Sequence, residues 1–303
     1  VYFKNLIESI GHTPLVELSR LNPNPDVRMF AKLEGQSPGG SGSVKDRIVK
    51  YMIEEAEKSG HLTPGKTLIE ATSGNTGICL AWLGRLKGYR VTIIMPDCMS
   101  IERRRLIRIM GANLILTPGD LGMNGAIAKA REMATSSEEY FMLDQFSNPS
   151  NPLAHYNGTA NEILEDLPVN RIDTLVCSIG TGGTIVGLSQ RFKQNFSGLK
   201  VIGVEPPAND PIQGLRCIDD TNMPAVMDLS LVDRRCICTS AEAKTYTRKL
   251  LEVEGIFAGI SSGAAACQAV KSASEMVKGT LVTILPDGGW KYLSLGHWDT
   301  SEN

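Results

Sequence analysis

Short β-branched apolar runs alternate along this chain with longer stretches in which apolar residues recur every three to four positions. The short runs predict strands at 27–34, 67–71, 91–96, 113–117, 140–144, 174–178, 200–205 and 281–286. The longer stretches predict helices at 43–59, 75–88, 100–110, 122–135, 154–166, 183–194, 240–253 and 261–277. Runs such as TLVCS (174–178) and LVTILP (281–286) are apolar throughout. Separated by helices, such runs read as parallel strands covered on both faces, and so as an α/β architecture. QFSNPSNPLA (145–154) carries two Asn-Pro pairs and is the best candidate for a crossover between domains.

Composition narrows the class. A chain of 303 residues exceeds one small core, so one large or two medium domains are expected. The net charge is −2 with both signs spread along the chain, which leaves no basic footprint for nucleic acid or a membrane surface. No run approaches 18 apolar residues, and the first residues lack the layout of a secretory signal. Seven cysteines at irregular spacings fit buried reduced thiols, hence a cytoplasmic protein, better than a disulfide framework. Cys236 and Cys238 form a lone C-x-C without a nearby histidine, and no metal site is expected. The run Arg103-Arg104-Arg105 reads as a solvated helix face.

One lysine is oddly placed. The helix at 43–59 has Val44, Ile48, Met52, Ile53 and Ala56 on one face, with Ser43 as N-cap and Asp46 closing a capping box in its weaker Asp form. Lys45 then falls in the first turn, the wrong end of a helix dipole for a cation. It is either a solvated surface lysine or a reactive one. At an ordinary pKa near 10.4, only about one lysine in 2,500 is neutral at pH 7, so a nucleophilic or basic lysine needs its pKa lowered.

Three strand-to-helix turns bear on that choice. Thr72-Ser73-Gly74-Asn75-Thr76-Gly77 is either an anion loop suited to a carboxylate or an ordinary capped turn. SIGTGGTIVG (178–187) offers Gly180, Thr181, Gly182, Gly183 and Thr184 as a phosphate cradle, with a dinucleotide site or a purely structural turn as the alternatives. It lacks the Gly-Lys-Ser/Thr of a Walker loop and the third glycine of a dinucleotide fingerprint, although Glu205 lies where a ribose-binding acid would. Asp287, at the end of the 281–286 run, is either a ligand-facing acid or part of an Asp-Gly-Gly turn. A lysine, a phosphate cradle, a carboxylate loop and a strand-end acid are the parts that pyridoxal phosphate (PLP) chemistry requires.

Taken together, GHTPLVEL (11–18), GSVKDR (42–47), EATSGNTG (70–77), MPDCMSIERR (95–104), LDQFSNPSNPLAHY (143–156), GTGGT (180–184), EGIFAGISSGAA (254–265) and PDGGWKYLS (286–294) resemble the cysteine synthase, or O-acetylserine sulfhydrylase, family of fold-type II PLP enzymes, and its B-type members most. The resemblance runs from about residue 4 to 295 with motifs in family order. It implies a tryptophan synthase β-like fold with two open, mostly parallel sheets flanked by helices. A large PLP-phosphate-binding domain would comprise 1–41 and 153–303, and a smaller mobile domain 42–152. It also implies a homodimer.

The resemblance implies roles residue by residue. Lys45 matches the Schiff-base lysine and Asn75 the partner of the cofactor's ring hydroxyl. Thr72, Ser73, Thr76 and Gln145 match the holders of the substrate α-carboxylate, and residues 180–184 match the phosphate loop. Asp287 falls where the ring nitrogen is faced. The implied reaction is β-replacement on O-acetylserine or O-phosphoserine by sulfide or thiosulfate, giving cysteine or S-sulfocysteine, with Lys45 as base. Arg216, in PIQGLRCIDD, suits an anionic leaving group or sulfur donor, or is a surface arginine. Before Lys45 the chain carries two residues more than the family pattern, and Lys45 is expected to keep its place. His12 replaces the usual Asn of the first motif and is expected to be bland. The alternatives are a serine/threonine dehydratase or cystathionine-forming enzyme on the same fold and, outside PLP chemistry, an NAD-dependent oxidoreductase.

Overall fold

A computed structural model describes residues 2–72, 74–219 and 223–298. Its strands form two sheets. The six-stranded sheet joins β1 (Leu15–Glu17), β2 (Val27–Leu33), β7 (Thr174–Ser178), β8 (Lys200–Glu205), β9 (Arg234–Ile237) and β10 (Gly279–Leu285) in the order β1-β2-β10-β7-β8-β9. The four-stranded sheet joins β3 (Thr67–Ala71), β4 (Arg90–Pro96), β5 (Asn113–Thr117) and β6 (Tyr140–Met142) in the order β5-β4-β3-β6. Only β1 runs antiparallel to its neighbour. Every residue of β3, and all but the first of β4 and β8, is buried, as helices on both faces require.

The helices are α1 (Lys45–Lys58), α2 (Asn75–Leu86), α3 (Ile101–Ile109), α4 (Gly122–Ser136), α5 (Ser150–Ala154), α6 (Ala160–Asp166), α7 (Gly183–Asn195), α8 (Ser240–Glu254) and α9 (Ile260–Glu275). Their small buried faces let them lie close on the sheets: α9 buries Ala264, Ala265, Ala266, Ala269 and Ala273. Each predicted strand and helix is present, most to within two residues. Strands β1 and β9 were not foreseen. They are short, three and four residues, and mostly half-buried or exposed, so they carry no apolar run to read.

The predicted helix at 154–166 differs more. It begins at Ser150, where Pro152 sits in the first turn, the position at which a missing N–H costs least. A π-turn over His155–Thr159 then separates α5 from α6. The predicted strand 140–144 stops at Met142, and Asp144 takes a left-handed φ of 49°.

The cap on α1 is also shifted. Ser43 Oγ accepts from Lys45 N at 3.1 Å, two residues on rather than three, while Asp46 Oδ2 accepts from Ser43 N at 3.2 Å. Half the capping box therefore survives. Asp46 Oδ1 is used by the longer loop ahead of it, accepting from Ser41 N at 3.1 Å and Ser41 Oγ at 2.5 Å.

Candidate active site

In both sheets the loops that carry polar motifs leave the carboxyl ends of parallel strands, where α/β ligands bind. The turn after β3 opens α2, the turn after β7 opens α7, and the segment after β10 pairs with the start of α1 through a Ser43–Asp287 bridge. Two adjoining cavities lie among these ends. Lys45, Asn75, Gly180, Thr181 and Gly214 line both.

Lys45 is the shared wall. Burial lowers its pKa from 10.5 to about 8, against the opposing pull of the Asp287 carboxylate. The residue is half-buried and lines both cavities, which counts against a solvated surface lysine. The cause of the lowered pKa is desolvation. The two extra residues before it are held in place: Lys291, fully buried, donates to Ser41 O at 2.7 Å and Gly42 O at 3.1 Å. Val44 N donates to Pro286 O at 2.8 Å.

The second cavity lies against the turn after β7, with Gly182, Thr184 and Ser261 among its walls. Gly182 has φ +92°, which an L side chain rarely adopts. A Cβ on Gly180 would meet Gly214 O at 2.6 Å, and one on Gly183 would meet Asn151 Oδ1 at 1.9 Å. This backbone is packed so that amide groups, not side chains, form the cradle. Thr181 Oγ1 accepts from Asn151 Nδ2 at 3.1 Å and from Gly183 N at 3.4 Å. Thr184 Oγ1 lies 3.2 Å from His155 Nε2. Burial, with Lys45 and Arg47 nearby, holds the His155 pKa well below its ordinary value, so the ring is neutral. Glu205 is buried away from this turn, accepting from Arg235 Nε at 2.6 Å and Ile218 N at 2.7 Å. It is not placed as a ribose ligand, which removes the main support for a dinucleotide.

The first cavity is walled by Thr72, Thr76, Gln145, Arg103 and Arg216 besides the shared residues. Thr76 Oγ1 donates to Gln145 Oε1 at 2.7 Å, and Gln145 Nε2 donates to Ala71 O at 3.2 Å. Thr72 Oγ1 accepts from Gly74 N at 3.2 Å. Ser73 lies outside the described residues. Arg216 stacks on Phe146, its guanidinium carbon 5.1 Å from the ring centroid.

Asp287 sits differently from its expected place. Its Oδ2 accepts from Asn75 Nδ2 at 2.8 Å and Tyr292 OH at 2.6 Å, and Asp287 is not among the residues lining either cavity. Ser261, in the first turn of α9, lines the second cavity with Ser178, and it lies within a segment whose run of small residues gave no separate signal. Asn151 was also missed. Its Nδ2 donates to both Gln145 O (2.7 Å) and Thr181 Oγ1 (3.1 Å), tying the two cavity walls together. Arg103 corrects the solvated-face expectation: it is 2% exposed and lines the cavity, while Arg105 is exposed. A three-residue charge run cannot show that one member points inward.

A lysine of lowered pKa between an amide-lined anion turn and a polar amino-acid-sized recess defines a class: α/β enzymes that tether a phosphorylated aldehyde cofactor to a lysine. The residues fit such a group. The second cavity lies directly against the glycine turn, and buried Asn75 Oδ1 has no hydrogen-bond partner within the protein, so it awaits a donor.

Comparison with known proteins agrees. The chain belongs to the pyridoxal-phosphate dependent enzyme family, whose model matches residues 6–287, and PLP is its cofactor. It is 44% identical over 291 residues to cysteine synthase B of Escherichia coli K12, covering 96% of this chain and 95% of that protein. It is also 44% identical over 307 residues to cysteine synthase A of the same organism, covering 94% and 92%. Among solved structures, O-ureido-L-serine synthase matches with a TM-score of 0.93 and 38% identity, over 100% of this chain and 97% of that one.

Proposed function

We propose that this enzyme is a cysteine synthase. It replaces the β-substituent of O-acetylserine or O-phosphoserine with sulfide or thiosulfate. The observation that carries the reading is Lys45, a lysine shifted to about 8, standing between an anion cradle and a carboxylate-binding wall.

When bound, PLP supplies an aldehyde that captures amines and a ring that delocalises negative charge from Cα. Lys45 Nζ would anchor that cofactor and, as a free amine, would take the substrate Cα proton and return it to the same carbon. A pKa near 8 leaves a useful fraction of the amine unprotonated at neutral pH. The amides and hydroxyls of Gly180, Thr181, Gly182, Gly183 and Thr184 hold the phosphate. Asn75 Oδ1, without a partner in the protein, would accept from the ring hydroxyl. Thr72, Ser73, Thr76 and Gln145 orient the substrate carboxylate. Arg216, half-buried beside Phe146, offers its charge to an anionic leaving group or sulfur donor. Asp287 accepts from Asn75 Nδ2 and so orients the amide whose Oδ1 would meet the ring hydroxyl.

The same proposal extends to organisation. Residues 42–152 form a smaller domain that closes over the substrate and excludes water, against a larger domain of 1–41 and 153–303. All four strands of the smaller sheet fall within 42–152, which supports that division. The enzyme is cytoplasmic and a homodimer. Five of its seven free cysteines are buried, which supports a reducing compartment, and sedimentation of the PLP-loaded protein tests the dimer. No helix among the described residues is long and apolar enough to cross a membrane.

The deciding experiment crosses O-acetylserine and O-phosphoserine with sulfide and thiosulfate, and repeats the set with Lys45→Ala. Turnover is expected for at least one pair, with the variant slower by about 100-fold or more while it retains PLP. Undiminished turnover in the variant would sink the reading. A second reading, β-replacement with a different nucleophile, is favoured by the likeness to O-ureido-L-serine synthase. It predicts turnover of the acyl-serine only when neither sulfur donor is the acceptor.

A further inference from the structure

The first turn of α3 buries a charge that the hydroxyl and amide groups of the substrate wall do not explain. Arg103 is its third residue, 2% exposed, and it lines the same cavity as Lys45, Thr72, Thr76 and Gln145. As with Lys45, a cation in a helical first turn opposes the helix dipole, so the placement is costly for α3 itself. The side chain lies directly under the anion loop. A Cβ on Gly74 would come within 2.5 Å of Arg103 Cδ and 2.7 Å of Nε, so the absence of a side chain at Gly74 is what lets loop and arginine meet. On its far side the guanidinium lies over the ring of Tyr292, its carbon 4.8 Å from the centroid. Tyr292 OH donates to Asp287, which accepts from Asn75, so the arginine is braced against the other residues of the site. The preceding Glu102 accepts from N and Oγ of Ser294, both at 2.8 Å, and clips this turn of α3 to the 3-10 helix Gly289–Leu295.

We propose that Arg103 is a positioning residue for Thr72, Gly74 and Thr76, whose charge makes that wall select amino acids with a free α-carboxylate. This rests on the reading of the cavity as an amino-acid site. The loop's own donors are neutral: main-chain N–H groups, threonine hydroxyls and the Gln145 amide. Neutral donors bind a carboxylate and a carboxamide with modest preference. A cation in the wall of the same cavity adds a term that only the charged ligand feels. The Gly74 contact also fixes the loop's height above the guanidinium.

The test uses PLP-loaded wild type, Arg103→Lys, Arg103→Gln and Arg103→Met. L-serine and L-serinamide are titrated separately, and the visible absorbance of the cofactor reports binding. Thermal midpoint and PLP content per chain are measured alongside. In Arg103→Met and Arg103→Gln the dissociation constant for serine is expected to rise about tenfold or more while that for serinamide changes little. Arg103→Lys is expected to recover most of the preference. In turnover with the better acyl-serine, KM is expected to rise more than kcat falls. Equal weakening of both ligands, or no weakening, overturns the proposal, because a purely structural arginine would not distinguish them. If only Arg103→Gln folds, it reads the same comparison. A wild type whose spectrum responds to neither ligand overturns the amino-acid reading itself and this inference with it, whereas a responsive wild type with indifferent variants overturns the inference alone.

Discussion

Several single residues here carry consequences out of proportion to their number, and Glu70 is the least expected. It stands in the middle of the short apolar strand TLIEA and is wholly buried. Burial and the nearby Asp144 charge push its carboxyl from 4.5 up to about 8, against the backbone N–H groups of Gln145, Asp144 and Ala71. Between about 4.5 and 8 the folded protein therefore holds a proton that the unfolded chain has lost. Stability contributed by this group is present below 4.5 and is lost as pH rises through about 8. Glu70→Gln removes that loss, so the variant should gain urea resistance relative to wild type as pH goes from 5 to 8. A difference in midpoint that is flat with pH would contradict this. Lys45 contributes with the opposite slope. In cofactor-free protein its lowered pKa makes stability rise from about pH 8 towards 10.5, because the unfolded chain binds the extra proton there.

At the level of elements, the turn between β7 and α7 is governed by space rather than by side-chain chemistry. Gly180 faces the carbonyl of Gly214, a backbone atom that cannot swing aside. Gly180→Ala is therefore expected to destabilise the protein by about 1–3 kcal/mol through overpacking. It should also reduce PLP retained after gel filtration, because the cradle must open to admit the methyl. A fully loaded variant of wild-type stability would show that the turn tolerates the shift. The start of α1 obeys a different constraint. Lys45 is placed by contacts from elsewhere: Pro286 O on Val44, and Lys291 on the carbonyls of Ser41 and Gly42. These contacts fix the longer loop ahead of Lys45 at both of its last carbonyls before Ser43.

Across the whole molecule, one buried charge cluster joins distant parts of the chain. Arg47, on α1 just past Lys45, donates to both oxygens of Glu34 (2.9 and 2.7 Å) and both oxygens of Glu162 (2.6 and 2.7 Å). Lys32 reaches Glu162 at 3.0 Å, and Thr13 Oγ1 donates to Glu34 at 2.7 Å. Burial would raise the Glu162 pKa, but hydrogen bonds and charge from Arg47 outweigh it and hold the group at about 2. Arg47→Met leaves Glu34 buried without its counter-charge and should cost about 3–5 kcal/mol. Denaturant unfolding of the PLP-loaded enzyme measures it. A loss below about 1 kcal/mol would mean the cluster is relaxed by water in solution.

The order of strands and helices was legible in the sequence because each element carries its own period, and a residue's burial in a parallel sheet shows in its own side chain. The glycine turn and the Lys45 segment were legible for the same reason: a close backbone approach excludes all but small residues, and it leaves that mark locally. What the chain brings together across long separations left no such mark. Arg103 looked like one of three surface arginines, and only its packing under Gly74 and over Tyr292, 189 positions away, buries it. Asn151 linking two loops, Ser261 at the cavity, and the turning of Asp287 towards Asn75 belong to the same kind. Local spacing determined which residues form helices, strands and backbone cradles. Tertiary structure alone decided which charged side chains leave water, because desolvation depends on every surface that closes around a group and not on its neighbours in the chain.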